Sequence, residues 1–161
     1  MQCIRIALIF PIGWMAVSCH HQKKVAQGEA RDVQQVNIFA RGERITNDNF
    51  IGTAYLQPLI AADTLNPTSV GNVTFEPGAR TKWHLHPGGQ ILLVTEGLGY
   101  YQEKGSPKRI LRKGDVIKCP PNVQHWHGAS HKQRFIQIAI TNSQNGPTEW
   151  LHPVSEEEYN K

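Results

Sequence analysis

The sequence predicts one all-β domain, and three observations carry that expectation. From Val36 to Ile140 no long helical periodicity occurs. Short runs rich in Val, Ile, Tyr and Thr are broken about every eight to twelve residues by Gly, Pro or Asn, the pattern of a sandwich or barrel. A chain of 161 residues with 39% apolar and 19% charged content is sized for a single ordinary hydrophobic core.

Two segments stand before the body. Residues 1–18 read as a signal peptide: Arg5 gives a weak positive start, and Ile6 to Val17 is largely apolar but too short for a comfortable membrane span. Ala16-Val17-Ser18-Cys19 resembles a bacterial lipobox, which predicts an exported protein lipid-anchored through Cys19 at the cell envelope. A plain secretory signal cut near Ser18, or an uncleaved anchor, is the alternative. Residues 19–35 are polar and charged, a tether rather than a core element, with His20-His21 part of that solvated linker. The membrane is met only through this anchor.

The folded domain spans residues 36–161. Its strands are expected at Tyr55–Ala61, Val70–Glu76, Thr81–His86, Gln90–Glu96, Gly99–Glu103, Lys108–Arg112, Val116–Cys119, Gln124–Gly128, Phe135–Thr141 and Glu149–Leu151. Turn chemistry at Glu76-Pro77-Gly78, Pro87-Gly88-Gly89, Lys113-Gly114-Asp115 and Pro120-Pro121-Asn122 separates them. Ser155 followed by Glu158 fits a capping box for one short C-terminal helical turn.

Charge and cysteine usage exclude several function classes. The net charge of +4 is diffuse, with no basic block longer than Lys23-Lys24, so no nucleic-acid partner is expected. Cys3 lies in the leader and Cys19 at the lipid site. Cys119 is then the one thiol of the body, so the mature domain has no intramolecular disulfide. Nothing around Cys119 would activate a thiolate, so a buried structural role is expected.

The chemistry is concentrated in the stretch Gly78 to Gln90, GARTKWHLHPGGQ. In a strand residues i and i+2 share a face, so His84 and His86 leave side by side. Gln90 follows a Pro-Gly-Gly turn and opens an apolar run that folds back beside them. His125 and His127 repeat the alternation further on. Three imidazoles and a side-chain oxygen converging from three strands outline a site for one divalent transition metal, and this donor set suits Mn, Fe, Ni, Co or Zn. His127 shares the face of His125 and should point inward beside the metal, as a hydrogen-bonding group or an acid or base. Trp83 and Trp126 have the opposite parity and are expected outside the barrel or at a dimer face. Lys82 is expected at the rim.

These residues also carry a resemblance. Gly78, His84, His86, Gln90 and Gly97 follow the first cupin motif, and Gly114, Pro120, Asn122 and His125 follow the second, with Asn122 where a Gly often stands and Gln90 where a Glu often stands. The resemblance covers roughly Ala54 to Tyr159. It implies a double-stranded β-helix (jelly-roll) barrel, often dimeric, with a divalent metal in its mouth held by His84, His86, Gln90 and His125. The stretches VTFEPGARTKWHLHPGGQILLVTEGLGYYQEKG, GDVIKCPPNVQHWHGA and EWLHPVSEEEY resemble a particular cupin branch. That branch contains carboxymuconolactone decarboxylase-like cupins and bacterial manganese-dependent hydroxynitrile lyases, and it also uses three His and a Gln. The branch favours manganese, a homodimer, and lyase-type chemistry on a small oxygen-bearing substrate. Decarboxylation of a carboxymuconolactone is not expected, because the authentic enzymes resemble a different, helical fold.

Three neutral imidazoles and a neutral amide leave the charge of a divalent ion uncompensated, which strengthens it as a Lewis acid toward an anionic ligand. Hydroxynitrile lyases of the branch place a histidine base where this chain has Gln137. Gln137 can orient a substrate but cannot hold its proton, so that role would fall to His127. Two further readings stand beside the lyase: an envelope cupin that binds a small ligand or metal without turnover, and a dioxygenase or isomerase.

Overall fold

Twelve strands and one helix form the regular structure of residues 37–161, the part of the chain described by this computed structural model. The leader, the tether and Cys19 lie outside the described residues. In chain order the strands are β1 (Glu43–Arg44), β2 (Phe50–Ile51), β3 (Ala54–Ile60), β4 (Thr68–Phe75), β5 (Arg80–Thr81) and β6 (His84–Leu85). There follow β7 (Gln90–Glu103), β8 (Arg109–Arg112), β9 (Val116–Cys119), β10 (His125–Ala129), β11 (Phe135–Asn142) and β12 (Glu149–Trp150), then the helix α1 (Glu156–Asn160). All of the pairings are antiparallel.

The backbone of the barrel is the order β1-β3-β4-β11-β7-β10-β5-β2, with β9 and β8 also on β7, and β12-β6 joined to β10. One strand belongs to both sheets. The Gln90 end of β7 pairs with β9 and β11, and its Glu103 end pairs with β8 and β10. The sequence reads this stretch as two strands parted at Gly97. The glycine is instead a bend within a single strand: its φ is 80°, and a Cβ there would sit 1.8 Å from the carbonyl oxygen of Arg134.

Conversely, the run expected as one strand from Thr81 to His86 is broken. β5 pairs with β2 and β10, whereas β6 pairs with β12 and β10, and the change of partner falls at Lys82 and Trp83. There the Lys82 amide donates to Asn49 and the Trp83 amide to His152. The two-residue strands β1 and β2 have no period long enough to read and were not expected.

Inside the barrel, alternate residues of facing strands build the core: Val73 and Phe75 from β4, Leu92, Val94 and Tyr101 from β7, Ile117 and Cys119 from β9, Phe135 from β11. The opposite face of the ligand-bearing strands carries a second cluster, Trp83, Trp126, Val154 and Tyr159. The two tryptophans thus lie outside the barrel, as their parity predicts. They are covered by the chain's own C-terminus. Helix α1 holds itself there through a complete capping box. The Glu158 amide donates to Ser155 Oγ at 3.1 Å and the Ser155 amide to Glu158 Oε2 at 2.9 Å. The buried Tyr159 hydroxyl donates to Ala129 O at 2.7 Å, and the Arg80 guanidinium lies 4.3 Å from the Tyr159 ring centroid.

Candidate functional site

All six residues singled out from the sequence are buried: His84 on β6, His86 just after it, Gln90 at the start of β7, His125 and His127 on β10, and Gln137 on β11. His125 stands directly opposite His84 in the antiparallel pair, so the two alternating histidine motifs meet strand to strand. The ring centroids of His84 lie 4.3 Å from His125, 5.0 Å from His86 and 5.3 Å from His127. His86 lies 5.4 Å from His125.

Among the described residues, the ligand nitrogens of His84, His125 and His127 all come within 4.8 Å of one another. The tightest trio therefore contains His127, which the sequence reading set beside the metal, while His86 stands just outside it. Gln137 does not face the cluster on its own. It is tied to His127, with its Nε2 3.0 Å from His127 Nδ1.

The residues fit a metal on the chemistry of their donors. His84 Nδ1 is 2.9 Å from Lys82 O and His125 Nδ1 is 2.8 Å from Val123 O; a carbonyl only accepts, so both rings carry their proton on Nδ1 and leave Nε2 as a lone-pair donor to a ligand. His86 Nδ1 is 3.0 Å from Thr148 Oγ1. The Nε2 atoms of His86, His125 and His127 are buried without any hydrogen-bond partner, as is Gln137 Oε1. Unpaired buried polar atoms are costly, and a shared ligand would satisfy several of them at once. Gln90 donates its Nε2 to Thr141 Oγ1 at 2.8 Å, so Oε1, which meets only the weak thiol donor of Cys119, is the amide's lone-pair atom.

Burial holds the cluster neutral. Desolvation pushes His84 and His127 well below the ordinary histidine value, and the neighbouring histidines push in the same direction. His86 is lowered to about 4, by burial first and then by His125. His125 is lowered as well, mainly by burial. Neutral imidazoles are the form that binds a metal, so the apolar surroundings prepare the donors.

Those surroundings are aromatic. Trp150 lies over His84 with ring centroids 4.8 Å apart, Tyr101 is 5.5 Å from His125, and Phe75 meets His127 edge-on at 5.7 Å. A mostly apolar cavity of about 570 Å³, whose lining includes Ile45, Phe50, Leu56, Pro58, Val73 and Trp150, lies near the cluster: Trp150 packs on His84, and Val73 pairs with Gln137. Its size and lining suit a small organic molecule.

The sequence gives no sign of Thr141, Thr148 or Trp150. They reach the site from strands distant in the chain, and a threonine carries no signature until its partner is known. Cys119 matches its expected inert role: it is buried, lies 4.0 Å from Gln90 Oε1, and desolvation raises its thiol to about 12. Lys82 stays at the rim, paired with Asp48 at 3.0 Å.

Comparison with known proteins follows the same line. Residues 71–141, which contain all six site residues, match the family described as Cupin domain. The chain is 39% identical over 115 residues, 71% of its length and 88% of the relative's, to an (R)-mandelonitrile lyase from Granulicella tundricola. A solved cupin-like protein from Thermotoga maritima is 50% identical, with a TM-score of 0.75 over 78% of this chain and 96% of that one. A cupin 2 conserved barrel domain protein from Rhodopseudomonas palustris shares the fold at 14% identity, with a TM-score of 0.58 over 72% of this chain and 78% of that one.

Proposed function

The chain belongs to the cupin superfamily, and on that premise we propose that it holds one divalent transition metal, manganese before iron, nickel, cobalt or zinc. On that metal it would carry lyase-type chemistry with a small oxygen-bearing substrate such as a cyanohydrin. One observation carries the reading: the Nε2 atoms of His86, His125 and His127 are buried with no partner, in a group where the ligand nitrogens of His84, His125 and His127 lie within 4.8 Å of one another. His84, His86, Gln90 and His125 would hold the ion, with His127 beside it. The similarity to an (R)-mandelonitrile lyase supports the reaction class.

The metal would supply Lewis-acid stabilisation to negative charge developing on a substrate oxygen or on cyanide. The chain's own residues do the rest. The apolar cavity edged by Phe50, Val73 and Trp150 would take the organic group of the substrate. His127, held neutral by burial, would take the cyanohydrin hydroxyl proton on Nε2 once the Gln137 amide, whose Nε2 stands 3.0 Å from His127 Nδ1, turns so that its oxygen accepts from Nδ1–H instead. The carbon–oxygen bond becomes a carbonyl, and the carbon–carbon bond to the nitrile breaks with its electron pair on cyanide. Cyanide then takes that proton back from His127 Nε2 and leaves as hydrogen cyanide, which returns His127 to its neutral form. Ala16-Val17-Ser18-Cys19 supports a domain tethered to the cell envelope, where it would act as a homodimer.

The test is elemental analysis of protein purified without an affinity nickel column, joined to an assay of mandelonitrile cleavage with and without chelator. The expectation is about one metal per chain and cleavage that chelation abolishes. Full occupancy in a His84→Ala/His86→Ala double variant would sink the metal site. One observation favours a second reading, capture of a small ligand without turnover: Gln137 stands where a proton acceptor would serve. Metal-replete protein silent toward cyanohydrins and a broad substrate panel would select it.

A further inference from the structure

Two of the four imidazoles are oriented by the strand that carries them. His84 and His125 each bond the carbonyl two residues upstream, Lys82 O at 2.9 Å and Val123 O at 2.8 Å. Since a carbonyl can only accept, the tautomer of both rings is fixed by local backbone. His86 has no such partner. Its Nδ1 meets the hydroxyl of Thr148 at 3.0 Å, from a residue 62 positions further along the chain.

A hydroxyl both donates and accepts. When His86 Nδ1–H donates to Thr148, Nε2 is free to coordinate. When the hydroxyl donates instead, Nε2 carries the proton and cannot. His86 is also the histidine that stands outside the trio whose ligand atoms lie within 4.8 Å of one another.

Thr148 belongs to a strap whose place is well determined. It immediately precedes β12, where Trp150 pairs with His84 and lies over its ring. The Leu151 amide donates to Trp83 O at 2.8 Å and the Trp83 amide to His152 O at 3.1 Å, lacing the strap to the ligand-bearing segment. Further on, Arg80 holds Val154 O at 3.0 Å and the Glu156 carboxylate at 2.7 Å, and Tyr159 packs with Trp126 behind the ligand strands.

We propose that Thr148 is a positioning residue for His86: through its hydroxyl the C-terminal strap, rather than the strand that bears the histidine, sets whether His86 presents Nε2 to the site. The inference rests on the metal reading above, and it makes His86 the conditional ligand of the set. Loss of an outer hydrogen-bond partner of a ligating histidine typically weakens metal binding by about 10- to 100-fold.

The experiment compares full-length wild type, Thr148→Val and Thr148→Ser by manganese titration and, in metal-free protein, by the ring nitrogen signals of the histidines. Thr148→Val should weaken manganese binding about tenfold. It should move the ring signals of His86 while leaving those of His84 and His125 in place, and Thr148→Ser should restore both. An unchanged His86 ring in Thr148→Val overturns the proposal, as does weakened binding that Thr148→Ser fails to restore. If wild type takes up no manganese, the metal reading falls. The metal-free ring signals then decide alone whether Thr148 sets the tautomer of His86.

Discussion

Gln90 and Thr141 face one another across β7 and β11, and the Gln90 amide nitrogen donates to the Thr141 hydroxyl at 2.8 Å. This contact holds the amide nitrogen, while the amide oxygen lies 4.0 Å from Cys119 Sγ. It also fixes the charge of the site, because an amide in that place adds none. Gln90→Glu should therefore bind a divalent metal about tenfold more tightly, since a carboxylate cancels part of the ion's charge. It should bind a probe anion such as azide correspondingly more weakly. Calorimetric titration of metal, then of azide into loaded protein, reads both. Equal azide affinity in the two proteins would show that Gln90 does not tune the ion.

The buried histidines make metal-free protein sensitive to acid. Burial pushes His86 down to about 4 in the fold from the ordinary histidine value of 6.5, and desolvation holds His84 and His127 well below that ordinary value too. Between those values the unfolded chain binds protons that the folded chain refuses, so stability falls as pH falls. The full contribution is present above about pH 6.5, and the loss from His86 is complete once the pH has dropped through about 4. Each such histidine costs about 1.4 kcal/mol per pH unit across its window. Urea unfolding of chelator-treated protein should show its midpoint dropping steadily from pH 7 to pH 4. A flat midpoint would mean that the cluster is open to water.

Much of this arrangement was legible because it is written in short-range alternation. His84 with His86 and His125 with His127 announce their shared faces at a spacing of two, and Pro87-Gly88-Gly89 announces the return that brings Gln90 back. What was hidden depends on contacts between distant segments. The sequence pattern divides the long β7 in two because Gly97 looks like a turn, yet flanking hydrogen bonds to four partner strands carry it through. Trp83 and Trp126 were correctly turned outward by parity. That α1 covers them depends on where the C-terminus returns, which no local pattern encodes. Thr148 was invisible for the same reason.

Asn122 tests a local feature that the second motif did make visible, an asparagine where glycine is common. It is the described non-glycine residue with a left-handed backbone, at φ 61°, and its amide donates to His86 O at 3.0 Å. Asparagine tolerates this region better than most residues, whereas a β-branched side chain does not. Asn122→Gly should leave thermal stability within about 0.5 kcal/mol of wild type, and Asn122→Val should lose about 1–2 kcal/mol. The valine variant should also bind metal less tightly, because the strained turn holds the carbonyl of a proposed ligand. Wild-type stability in Asn122→Val would mean that the turn relaxes to another conformation.

Gln137 is where the reaction itself can be put to the question. Its side chain is fully buried, 3.0 Å from His127 Nδ1, on the strand that pairs with both β4 and β7. The amide can steer a tautomer of His127 but cannot store a proton. Gln137→His is close in volume and places a second titratable ring beside His127, where it can share or assume the role of base. A positioned general base contributes about 10²- to 10⁴-fold. Mandelonitrile cleavage by the variant should therefore rise by about a hundredfold at unchanged metal content. Its rate should also fall on the acid side as the new ring protonates. Metal content, rate and pH profile must be measured together, since a rise accompanied by altered loading would have another cause. If the variant keeps its metal and stays at the wild-type rate, the cyanohydrin reading is wrong and the ligand-capture reading takes its place.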